Sequence, residues 1–421
     1  MVVLAPAGLR ADLLYFAQGG RVQAPAESRG DGTVRLDLPG GPAEFAASDF
    51  RKIVAGYWPE AEWPARRRAA GAGGGANPLA NAWWALANGL TPQAESLLRA
   101  ANVGDPNQAA TARMVTALDR LGREGTDPEL ESIHRALGTS CTIARSAHVL
   151  LLHQHSAADA AERVELLERV VRTYYLLFAA GGLDLPVPEH RLVSVWLAER
   201  AEYVAFLHSE GADAFRNTLG YYHPTLGAVV TYDLRSASPQ QSVPELPRLR
   251  LLRDLDRRAK ELGTAAHEMI HLLVAQSGLA PRHDDFPLWL HEGLAAQFEV
   301  VRGGRWAGFG HAHDLRLPDW RRIDPPARLV PLIRDSGFGH GYQRDAYAAA
   351  WALVYYLRRE HPAQFRTFLD LLRTPDAETR PRADRTVALF SQAFGADLHG
   401  LEADWHRLMA TVRTPLEEGL Q

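Results

Sequence analysis

From Asp12 to about Val54 apolar and polar residues alternate in short runs, DLLYFA, RVQAPAE, TVRLDL and AEFAA, separated by Gly19-Gly20, Gly30-Asp31-Gly32 and Pro39-Gly40-Gly41. Period-two alternation broken by turn residues predicts a small β-meander or SH3-like β-barrel over 12–56. The following WPARRRAAGAGGGANP, 63–78, joins three arginines to a glycine run without periodicity, and reads as a linker. Helical spacing then takes over in NAWWALANGL, AESLLRAA and TARMVTALDRL, broken at Asp105-Pro106, which predicts a helical pair over 79–138.

The remainder mixes element types. An apolar run HVLLLH, a helical ERVELLERVVRTYYLLF, a strand RLVSVWL, a helical AEYVAFLH and a hairpin GYYHPTLGAVVTYD precede an almost wholly helical stretch. Strands first and helices after predict an α+β domain over 144–411, with 412–421 as a tail. No apolar run reaches the roughly 18 residues of a membrane-spanning helix. Met1–Ala11, MVVLAPAGLRA, has the apolar character and small final residue of the end of a secretory signal, so an extracytoplasmic location, periplasmic or secreted, is expected over a cytoplasmic one.

Composition narrows the function classes. With 46% hydrophobic residues and a net charge of −4, the 421-residue chain shows neither the signature of disorder nor the basic excess of a nucleic-acid binder. Its single cysteine, Cys141, excludes an intrachain disulfide and a cysteine-rich metal cluster.

The candidate chemistry lies in ELGTAAHEMIHLLVAQSG, a proline-free helical pattern with Gly278 at its expected end. Residues four apart share a helix face, so His267 and His271 can present imidazoles to one Zn²⁺ while Glu268 projects beside them toward a water. A catalytic zinc needs a third ligand, and PLWLHEGLAAQFE offers two, Glu292, 21 positions after His271, and its neighbour His291.

His267-Glu268-Met269-Ile270-His271 followed by WLHEGLA resembles the gluzincin metallopeptidases, the thermolysin and aminopeptidase N group. That resemblance makes Glu292 the third ligand and implies a zincin-like fold. The segment YAAAWALVYYL is similar to the aminopeptidase N helix whose opening tyrosine hydrogen-bonds the reacting oxygen, which gives that role to Tyr347; His340 and Tyr342 in FGHGYQ are substitutes. The stretch from Ser146 onward most resembles peptidase MA-like domains of an uncharacterised bacterial family. Two departures stand out. The Gly-x-Met-Glu-Asn element of the aminopeptidases is missing, since the methionines are Met1, Met114, Met269 and Met409. The acid that thermolysin-like relatives place four residues after the glutamate ligand is Ala296 here, leaving Glu299 and Asp233 as weaker candidates to orient a zinc histidine.

The expected function is therefore zinc-dependent peptide hydrolysis, by an endopeptidase, on a peptide or protein substrate that could pair as a strand with Gly227–Asp233. The alternative is a catalytically degenerate gluzincin-fold protein that binds a peptide or envelope component. The N-terminal modules are expected to be accessory and to bind an unknown protein partner. His153, His155, His283, His311 and His313 have no partner at metal-ligand spacing and read as surface or polar-core residues.

Overall fold

The computed structural model describes residues 11–56, 58–71, 78–104, 109–138, 141–235, 246–280, 286–338, 344–374 and 381–418. The chain opens with β1 (Ala11–Phe16), β2 (Arg21–Ser28), β3 (Thr33–Leu36), β4 (Ala43–Ala46) and β5 (Phe50–Ala55), all paired antiparallel in the order β4-β3-β2-β1-β5. The sheet is open: β4 and β5 end the order instead of pairing, so the expected barrel is not formed. Closure is unnecessary because another element covers the apolar face. Leu14, Phe16, Val22, Val34, Leu36 and Phe50 form a core against which Leu251, Leu252 and Leu255, from a distant helix, pack.

Next come α1 (Pro59–Gly71), α2 (Pro78–Ala87), α3 (Thr91–Gly104), α4 (Ala109–Arg120) and α5 (Glu131–Leu137). The segment read as a linker therefore begins as helix, and the predicted pair is a larger set. Its α2–α4 core, with Leu86, Leu98, Met114 and Leu118, is completed by Leu176 and Ala179 of the next long helix.

That helix, α6 (Ala157–Ala180), follows β6 (Thr142–Arg145) and β7 (Val149–His153). It is capped by Ser156, whose hydroxyl accepts from the Asp159 amide at 3.1 Å. After it run β8 (Leu192–Leu197), α7 (Arg200–Ser209), β9 (Gly220–His223) and β10 (Ala228–Tyr232). The second sheet has the order β6-β7-β8-β10-β9, with β7, β8 and β10 parallel and the two outer strands antiparallel. Its inner strands are covered on both faces, Val149 and Leu151 by the α6 side and Leu150 and Leu152 by the α7 side. Such strands read as unbroken apolar runs, which is the character of VLLLH and AVVTY. The segment Gly227–Asp233 consequently lies inside the sheet, paired on both sides; the strand at the edge is β9.

Among the described residues the regular structure that remains is helical apart from one small hairpin. It comprises α8 (Pro247–Gln276), α9 (Leu288–Ala296), β11 (Val301–Arg302), β12 (Arg305–Trp306), α10 (Arg316–Trp320), α11 (Leu329–Ile333), α12 (Arg344–Glu360), α13 (Pro362–Arg373), α14 (Arg382–Phe394), α15 (Leu398–Thr411) and α16 (Pro415–Glu418). The α8 helix starts with proline in its first turn, and Gly278 follows its end at φ +70°, as the sequence suggests. No helix among the described residues is long and apolar enough to cross a membrane.

Candidate metal centre

Helix α8 presents His267 and His271 one turn apart, both buried, and their Nε2 atoms lie 2.9 Å from each other. Helix α9 brings Glu292 to the same point: its Oε2 is 3.1 Å from His267 Nε2 and 3.6 Å from His271 Nε2. One ligand atom from each of the three residues falls within 4.8 Å of the other two. Glu292 Oε2 is buried without a hydrogen bond, although it faces two imidazoles. A buried carboxylate oxygen and two imidazole nitrogens converging in this way fit a divalent metal of the zinc type, with His-His-Glu donors. His291 stands beside the set, its ring centroid 4.1 Å from that of His271.

Two close approaches assemble these elements. A Cβ at Gly293 would lie 2.6 Å from the Ala350 carbonyl oxygen and 2.6 Å from Val354 Cγ2, so α9 and α12 can cross at this distance only with glycine next to Glu292. A Cβ at Gly220 would lie 2.8 Å from Glu268 Cγ, which places the edge strand β9 directly over the Glu268 side chain. The first turn of α9 is held from outside: the Asp335 carboxylate accepts from the Leu288 amide at 3.1 Å and from the Trp289 amide at 2.9 Å.

Around the three ligands lies a second ring of polar groups. Glu299 Oε1 is 2.5 Å from His267 Nδ1, the nitrogen turned away from Glu292. Glu299 also accepts from His313 Nε2 at 2.7 Å and from Arg316 Nη2 at 3.1 Å. It thus occupies the orienting position that Ala296 leaves vacant in the chain, with a longer spacing from Glu292. His313 and Arg316 were not recognisable from spacing, because they reach the site through Glu299 and from a loop and a five-residue helix. Asp233 takes no part here. It pairs with the fully buried Arg163 at 3.0 Å, and Arg163 in turn holds Glu261 of α8 at 3.0 Å, fixing the metal helix against α6 and the sheet. His311 is also elsewhere, donating from Nε2 to the Ala307 carbonyl at 2.8 Å. His283, His340 and Tyr342 lie outside the described residues.

Tyr347, at the start of α12, donates its hydroxyl to the Glu292 carboxylate and lies beneath the Arg316 guanidinium, 5.5 Å from its ring centroid. Burial and then the charges of Glu292 and Glu268 push its phenol well above the usual range. Burial raises the Glu268 carboxyl, against the opposing charges of His267 and His271. Glu292 and Glu299 go the other way. Burial opposes their ionisation, but His271 and His267 around Glu292, and Arg316 and His267 around Glu299, hold both well below the usual carboxylate range. Burial alone would lower His267; the charge of Glu299 and the contacts with Glu292 and Glu299 raise it well above. The site therefore holds two committed carboxylates and one, Glu268, whose environment favours taking a proton.

A family model described as a protein of unknown function, DUF1570, matches residues 261–377, the stretch that carries His267, Glu268, His271, Glu292, Glu299 and Tyr347. No curated protein matches the chain. The chain thus combines a partial DUF1570 match with a buried His-Glu-x-x-His and Glu cluster of zincin-like character.

Proposed function

We propose that this protein is a zinc-dependent metallopeptidase of the gluzincin type, acting as an endopeptidase. The observation that carries the reading is the convergence of His267, His271 and Glu292 within 4.8 Å, with Glu268 on the next position of the same helix. Zinc held there supplies Lewis acidity and a water of lowered pKa. The chain's own residues do the rest. Glu268, its carboxyl raised by burial, accepts a proton from the attacking water and returns it to the leaving amine. Tyr347 turns its hydroxyl from Glu292 to the carbonyl oxygen of the scissile bond as charge develops there. Glu299, anchored by Arg316 and His313, lies against Nδ1 of His267 and would leave its Nε2 free to hold zinc. The free edge of β9, packed over Glu268, offers main-chain hydrogen bonds to an extended substrate.

Zinc per chain and proteolysis of an unfolded protein such as casein test this directly. The wild type should carry about one zinc, Glu292→Ala should lose it, and Glu268→Gln should keep the metal while its hydrolytic rate drops by roughly 10²-fold or more. A Glu268→Gln variant with full rate would refute the assignment of the base. A wild type that holds zinc but cleaves nothing would leave the peptide-binding alternative.

A further inference from the structure

Tyr221 stands on the edge strand β9 one residue from Gly220, the position pressed against Glu268. The two faces of that strand differ. Gly220 faces Glu268 and Thr264 of α8, and Tyr222 belongs with Val229, its partner on β10, to the core on that side. Tyr221 points the other way and packs with its own partner, Val230, against the core that holds Tyr203 and Phe206 of α7.

Phe215 lies on Tyr221, the ring centroids 4.5 Å apart and the planes 29° from parallel, and yet Phe215 is 42% exposed. A single exposed aromatic is ordinary on a protein surface. This one is held in place. It ends a 3₁₀ turn, Asp213–Phe215, whose last carbonyl accepts from the Thr218 amide at 2.9 Å, and Arg200 donates to the next carbonyl, that of Arg216, at 3.1 Å. The Thr218 hydroxyl is 2.8 Å from that of Tyr203 and 2.8 Å from the Gly220 carbonyl, which ties the turn to the strand. Tyr221 is also near the candidate base, since burial and then the Glu268 charge raise its phenol above the usual range.

Among the described residues nothing pairs with the outer edge of β9, which ends the order of the second sheet. A chain added there lies about 4.8 Å from β9 with its side chains alternating between the two faces. The side chain across from Tyr221 then has its Cβ roughly 5 Å from that of Tyr221, while its neighbour, across from Gly220, faces Glu268.

We propose that Phe215 and Tyr221 select the substrate: a peptide pairing with β9 sets one aromatic side chain against the two rings, one residue from the position over Glu268. Stacked rings with surface left open favour a further ring, because aromatic pairs contribute beyond the area they bury, whereas a small or polar residue leaves Phe215 in water. Which bond is then cut rests on the peptidase reading; the binding preference does not.

Peptide binding to the full chain carrying Glu268→Gln, with zinc added, tests the preference without cleavage. The probes are a short blocked peptide of alternating threonine and alanine with one central phenylalanine, and the same peptide with serine in its place. By calorimetry the phenylalanine probe should saturate one site per chain and bind at least tenfold more tightly than the serine probe. Adding Phe215→Ser should reduce that ratio to less than threefold, as should Tyr221→Thr, which suits an edge strand, whereas Phe215→Trp should keep it. Melting curves establish that each variant is folded. In the wild type, cut sites in casein mapped by mass spectrometry should carry an aromatic residue at one fixed distance from the broken bond, and Phe215→Ser should flatten that pattern. Failure of the phenylalanine probe to saturate, equal binding of the two probes, a ratio unchanged in both Phe215→Ser and Tyr221→Thr, or cleavage indifferent to aromatic residues would overturn the proposal. A preference that depends on Phe215 in a wild type that cuts neither probe nor casein would uphold the aromatic subsite and refute the peptidase reading instead.

Discussion

Gly293 shows how one residue without a side chain governs the geometry of its neighbour. Its Cα faces the Ala350 carbonyl and Val354 on α12, the helix that delivers Tyr347, while the residue before it is Glu292. Gly293→Ala inserts a methyl 2.6 Å from both groups and must push α9 away from α12. We expect a loss of about 1–3 kcal/mol in stability by urea denaturation, together with weaker zinc binding, because Glu292 moves with the helix. Gly30→Ala, where a Cβ meets nothing within 4 Å, should stay within about 0.5 kcal/mol of the wild type. His311 supplies a different test. Its Nε2 donates to the Ala307 carbonyl and its Nδ1 accepts from Arg302 at 3.2 Å, so both nitrogens are committed to the neutral ring. Burial and the Arg302 charge lower its pKa to about 4. The unfolded chain, with an ordinary histidine near 6.5, takes up the proton first, and stability therefore falls as pH drops from about 6.5 toward 4. By pH 5 the loss from this group is about 2 kcal/mol. His311→Gln, which keeps a donor and an acceptor, should flatten the decline of the melting temperature between pH 7 and pH 5.

The helices and strands of the site differ in how plainly the chain announces them. The second half of α8 carries its motif, its apolar stripe and its terminal Gly278, and all three are local signals. Its first half, from Pro247, is rich in arginine and aspartate, and its leucines make sense only against the open sheet that covers them. The same kind of long-range dependence hid which strand of the predicted hairpin lies at the edge: GYYH is short and alternates poorly, whereas AVVTY is strongly apolar because it is buried on both faces. Local alternation likewise predicted the first four N-terminal strands, without singling out β5, but could not say whether the strands close on themselves, since closure depends on what else covers Leu14, Phe16 and Val22. Helix α9 is the clearest case at this level. Its sequence starts after Pro287 without a capping side chain, and the cap comes from Asp335, nearly fifty residues away at φ +60°. Asp335→Ala removes both acceptors from part-buried helix-end amides. It should cost about 1–2 kcal/mol and raise the zinc dissociation constant, as measured by competition with a chelator, while Asp335→Asn should recover part of both losses.

At the scale of the whole molecule the N-terminal sheet, helix α8 and the small hairpin pack against one another. Leu251, Leu252 and Leu255 pack on the sheet about two to three turns before the Arg163–Glu261 pair, which itself lies shortly before His267 on the same helix. A Cβ at Gly20 would lie 2.4 Å from Leu252 Cδ1, and one at Gly303 would lie 2.6 Å from the Gln23 carbonyl, so the sheet meets α8 on one side and the turn between β11 and β12 on the other. Arg258 of α8 ties the same turn down through the Gly304 carbonyl at 2.6 Å. Removing the sheet would uncover three partly buried leucines, each contributing less than the ~1.5–3 kcal/mol of a fully buried side chain, on a helical segment with a surplus of charged residues. That segment should then fray toward Glu261 and loosen the register on which His267 and His271 depend. We therefore expect a chain lacking residues 1–56 to bind zinc at least tenfold more weakly than the full chain and to show faster amide exchange through residues 247–260. If the shortened chain bound zinc with undiminished affinity, α8 would be held by Arg163, α6 and α9 alone, and the sheet would be an attachment after all.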